Sequence, residues 1–193
     1  MPVLRFLFCC LLIGQAAIAQ DGIAPVWDVK AMLQQLVDQM ARYRTTVDKL
    51  PVVDWVNQKQ ASQTYLRQQE VVLGEVGNLN LVATRLNQAP EKLSLALDIY
   101  FRLQAIESMT AALADGASKF ESQETANMLN QLVGDNSSLR LKLRQYVLDL
   151  SANKEQEYAI AEREAQRCQA ELNRNPLAPI PPTGPRKKAQ EKK

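Results

Sequence analysis

Histidine is absent from the 193 residues, and that one absence removes a long list of chemistries. Ser-His and Cys-His nucleophile pairs, imidazole-held metals, His-ligated haem and histidine pH switching all need the ring that is missing. Glycine is scarce at 7 residues, and aromatic residues make up 6% of the chain. A β-sandwich or barrel draws on many turn glycines and β-forming side chains, so this composition speaks against both. Beyond Ile13 no apolar run approaches the roughly 20 residues that a membrane-crossing helix requires. A Gly-rich phosphate loop, a Gly-x-Ser-x-Gly elbow and an Asp-x-Asp-x-Asp-Gly calcium loop are also missing. Met32, Met40, Met109 and Met128 stand singly at core spacing rather than as Met-x-x-Met pairs. The composition therefore implies neither a cofactor nor a bound metal.

What remains is a helix-forming chain, rich in Leu, Ala, Gln, Glu and Arg. Its first residues have the layout of a secretory signal over 1–19. Arg5 supplies the positive start, Phe6 to Ile13 the apolar run, and Ala17-Ile18-Ala19 the small-x-small cleavage sequence. The apolar run is too short to serve as an anchor, so the expectation is an exported protein, periplasmic or extracellular, with no transmembrane anchor after cleavage. Removal of the signal takes Cys9 and Cys10 and leaves Cys168 as the one thiol, which precludes an intrachain disulfide.

Hydrophobic periodicity organises residues 20–175 as an all-α, elongated antiparallel bundle or coiled coil. Val26, Val29, Leu33, Leu36, Met40, Tyr43, Val47 and Leu50 alternate steps of three and four, which places all eight on one stripe of a helix over 26–50. Pro51 ends it, because the residue before a proline is pushed out of α geometry. A second helical region runs to about Gln88. It has a polar stretch from Asn57 to Thr64, and Gly74 and Gly77 predict a kink or short break. A third helix starts at Pro90 and is predicted to end at Asp115-Gly116 with a left-handed cap. Ser118-x-x-Glu121 reads as a capping box for a shorter helix closed by Gly134. A long last helix then spans 137–173, with the seam Leu139, Leu143, Tyr146, Leu150, Tyr158, Ala161, Ala165, Cys168 and Leu172. Between Leu150 and Tyr158 the steps become four and four, a stutter that locally unwinds a supercoil. Asn136-Ser137-Ser138 matches a glycosylation sequon but sits where a helix cap is needed.

From Pro176 the composition changes to a Pro-rich basic tail over 176–193. Five prolines are followed by Arg186, Lys187, Lys188, Lys192 and Lys193. Such a tail is expected to be disordered and able to touch an anionic lipid or envelope polymer by charge alone. Because the tail holds these charges, the overall +2 conceals a mildly acidic body. Without a basic patch interleaved with aromatics in that body, nucleic acid is not an expected partner.

The functional expectation is a non-catalytic exported interaction protein, such as a scaffold, adaptor or envelope-assembly component. It would bind a protein partner or form a homo-oligomer through Tyr158, Ala161, Ala165, Cys168 and Leu172. A periplasmic holdase chaperone or a secretion-apparatus accessory subunit is the alternative. A wall-active hydrolase would rest on Glu107 or Glu121 as a buried general acid.

Overall fold

The three-and-four spacing of the first segment produces α1 (Val26–Asp48), and Val29, Leu33, Leu36, Met40, Tyr43 and Val47 are all buried along one of its faces. The structure, a computed structural model, describes residues 26–174, with side chains from Asp28 onward. The signal segment 1–19 and the basic tail 176–193, with Arg186, Lys187, Lys188, Lys192 and Lys193, lie outside the described residues. Every regular element among the described residues is helical. After α1 come α2 (Val52–Lys59), α3 (Thr64–Gln88), α4 (Leu93–Phe120), α5 (Gln123–Asp135) and α6 (Ser137–Arg174).

The chain divides into two units after Leu150. The first is an all-α bundle in which α1 packs on α3, α3 on α4, and α4 on α5. Ion pairing follows the hairpin of α3 and α4: Arg102 meets Glu75 across the two helices at 2.6 Å and Asp98 on its own helix at 2.8 Å. The first part of α6 joins this core with Leu139, Leu143, Tyr146, Val147 and Leu150. Tyr146 Oη donates to the carbonyl of Pro90, which ties α6 to the turn before α4. The second unit contains the rest of α6, from Ser151.

The break expected at Gly74 and Gly77 is absent, since both glycines lie inside α3. The chain breaks instead in the polar stretch, at Gln60, a non-glycine residue at φ 59 that closes α2 in the left-handed region. No apolar side chain between Asn57 and Gln60 holds the helix to the core, and that weighs more than the propensity loss of an interior glycine. Ala61 resumes packing at 7% exposure.

Gly116 also differs from expectation, because it does not end its helix. α4 runs through it to Phe120, and Gly116 is buried. Its lack of a side chain serves a close approach: a Cβ built there would lie 2.6 Å from Tyr65 Cε1. Tyr65 cannot move away freely, as it packs edge-on against Trp55 and Phe120 with ring centroids 6.2 and 5.8 Å apart. The capping box at Ser118 is likewise not used, since Ser118 is still helical. Ser122 caps α5, its hydroxyl accepting from the Thr125 N–H at 3.1 Å.

These glycines give a paired prediction. Gly74→Ala and Gly77→Ala meet nothing within 4 Å and should stabilise by about 0.5–1 kcal/mol each through helix propensity. Gly116→Ala should instead destabilise by about 1–2 kcal/mol as the Tyr65 ring is displaced. Chemical denaturation of the three variants checks the opposite signs.

Candidate functional site

Tyr158, Ala161, Ala165, Cys168 and Leu172, the interaction residues predicted from the sequence, are all exposed in the second unit. Tyr158 is 71% and Leu172 52% exposed. From Glu155 to Arg174 every residue is exposed, and the Cys168 thiol is free. An isolated solvated helix has no reason to keep apolar residues in register, yet the five follow the three-four-three-four steps of heptad positions a and d. Set in that frame, the flanking g positions are Glu157, Glu164 and Glu171, and the flanking e positions are Glu155, Glu162 and Gln169. The arginines Arg163, Arg167 and Arg174 fall on the opposite face, at f and c. Lys154 pairs with Glu157 at 2.7 Å, and Asn153 donates to the same carboxylate at 3.1 Å. Among the described residues Glu162, Glu164 and Glu171 form no ion pair.

A different arrangement surrounds Glu107. It is 5% exposed in the middle of α4, and one of its oxygens accepts from Arg140 of α6 in an ion pair. Its other oxygen has no hydrogen-bond partner. Burial pushes the carboxyl above its ordinary 4.5, and Arg140 opposes that shift. Close by are Tyr43 and Asn136, both fully buried. Burial, then the charge of Glu107, raises the Tyr43 hydroxyl far above its ordinary range. The Asn136 amide lies near enough to favour the phenolate without forming a well-aligned hydrogen bond. Asn136 is the single residue between α5 and α6, and its carbonyl accepts from the Arg140 N–H at 2.9 Å. Its side chain therefore packs inward rather than capping the last helix, and its burial gives a sugar at the sequon no room.

Glu121, the other carboxylate considered as an acid, accepts from Trp55 Nε1 at 3.0 Å and lies 3.5 Å from Lys59 Nζ. Lys59 also donates to the carbonyl of Phe120. These contacts fasten α2 over the end of α4 and satisfy the indole of a fully buried tryptophan. Elsewhere a surface depression of about 520 Å³ is lined by Val29, Met32 and Tyr146 together with Asp28, Lys142 and Asp149. Among the described residues no group of acidic or thiol side chains could hold a metal ion, and no helix is long and apolar enough to cross a membrane.

No family model, curated protein or solved structure matches this chain. The site must be understood from its own residues.

The buried cluster has no pattern in the sequence, because Tyr43, Glu107 and the Asn136–Arg140 segment are distant from one another in the chain. The only local sign was Glu107 itself, a charge between Ile106 and Met109 on an apolar helix. Arg140→Ala should destabilise the bundle by about 3 kcal/mol by leaving a buried carboxylate without its cation. Glu107→Gln should cost about 1 kcal/mol or less, since the freed Arg140 reaches water. Because the folded-state carboxyl of Glu107 is raised, its stabilising contribution is full below 4.5 and is lost as pH rises through the folded value. The stability difference between wild type and Glu107→Gln should thus shift toward wild type as pH falls through that window, as measured by denaturation at a series of pH values.

A second contrast separates the halves of α6. Leu143→Ala should cost about 2–5 kcal/mol of folding stability, whereas Tyr158→Ala and Leu172→Ala should each change it by less than about 0.5 kcal/mol. Thermal or urea denaturation of the isolated chain reads this directly.

Proposed function

We propose that the protein is a non-catalytic exported interaction protein, a scaffold or adaptor that works by offering the 158–172 face of α6 to another helix. The observation that carries this reading is an in-register a and d stripe left in water. Apolar periodicity that contributes nothing to the core of its own chain is accounted for by burial elsewhere. Covering side chains such as Tyr158 and Leu172 would contribute about 1.5–3 kcal/mol each. Ala161 and Ala165 would let a second backbone come close, as small residues do at helix interfaces. The export part of the reading is supported by the Arg5, Phe6 to Ile13 and Ala17-Ile18-Ala19 pattern of the sequence.

The role asks nothing of Glu107 or Glu121 as acids. Their contacts with Arg140, and with Trp55 and Lys59, are those of residues that hold helices together.

A photo-crosslinking amino acid placed at Ala161 or Ala165 in the full chain, in its native cell, tests the proposal. A discrete adduct is expected from these positions and none from Arg163 or Arg167 on the other face. Equal yields from both faces, or no adduct from either, would sink it.

A further inference from the structure

We infer that the occupant of the 158–172 face is a helix of a different chain whose own seam is flanked by lysine or arginine, and that it is not a second copy of this protein. The inference rests on the interaction role just proposed and adds the chemistry of the partner. It follows from what borders the stripe. Of the six e and g positions, Glu155, Glu157, Glu162, Glu164 and Glu171 are carboxylates and Gln169 is neutral. In a parallel pair of identical helices, g of one faces e of the other; in an antiparallel pair, g faces g and e faces e. Both arrangements set glutamate against glutamate or against the neutral Gln169, and neither brings a cation to the flanks. Among the described residues, only Glu157 is paired with a cation on its own helix, Lys154.

The length of the stripe points the same way. It spans two heptads, 158–172, with alanine at two of its five seam positions. Self-sufficient coiled coils sustain their seam over about three to four heptads. A short, alanine-containing seam with repelling flanks is poorly suited to self-association. The same flanks attract a basic partner, lowering the barrier to encounter and fixing its register. The arginines at f and c face away from the contact, so they do not cancel the acidic flanks.

The test uses the full chain and two synthetic helical peptides with the same Ala/Leu seam, one with lysine at every e and g position and one with glutamate. Light scattering at neutral pH and low salt should show a monomer, with or without reductant. Fluorescence anisotropy should show the lysine-flanked peptide binding at least about tenfold more tightly than the glutamate-flanked one, with the preference fading at high salt. Reversing Glu157, Glu162, Glu164 and Glu171 to lysine, all at exposed positions, should invert that preference without altering the melting of the bundle. A stable dimer disrupted by Ala165→Asp would overturn the inference while leaving the interaction role standing. Failure of both peptides to bind, or equal binding of the two, would also overturn it. So would tighter binding of the lysine peptide after Arg186, Lys187 and Lys188 are reversed to glutamate, because the chain's own tail would then be the occupant.

Discussion

A carboxylate in an apolar interior must find a cation or give up its charge, and Glu107 meets that demand with Arg140. The pair sets where α6 can start. Arg140 sits four residues beyond Asn136, and the Asn136 carbonyl accepts its N–H, so the single-residue junction and the ion pair are one local unit. Tyr43 brings α1 to the same place. Sliding α6 by one turn would bring Leu143 near the place of Leu139 and keep the seam on the core, but it would part Arg140 from Glu107 and strand the carboxylate. An apolar interface alone tolerates small slips; a charge with one available partner does not.

The energetic division along α6 follows from that anchoring. Its first part contributes a buried face and its second part does not, although a single helix runs through both. The four-and-four steps around Lys154 mark the change. Up to Leu150 the seam is satisfied by the chain itself, while from Tyr158 onward the same pattern lies in solvent. Helix stability in the second part rests on propensity and on local pairs such as Lys154 with Glu157.

Much of the fold was legible because it is written in periodicity. The α1 stripe from Val29 to Val47 and the long last helix, expected over 137–173 and observed over 137–174, follow from apolar spacing alone. Where local chemistry competes with packing, packing prevails over the local pattern. Gly116 has the look of a helix end in sequence, and only the arrival of Tyr65 from another helix explains its place inside α4. Ser118 and Glu121 have capping-box spacing, yet Glu121 is engaged by Trp55 and Lys59 instead. The exposed stripe was visible as a seam, but spacing does not distinguish a face that meets its own chain from one that meets water. The Glu107 cluster joins residues separated by as much as 97 positions between Tyr43 and Arg140, beyond any local pattern.

Cys168 occupies a d position of the exposed seam, with alanine a turn before it at Ala165 and leucine a turn after it at Leu172. Its sulfur is therefore a built-in gauge of whether that face is covered. The rate at which a small alkylating reagent consumes it would track occupancy without a label, a tag or an altered residue. A helix seated there would shield Cys168, the one thiol among the described residues, from oxidants.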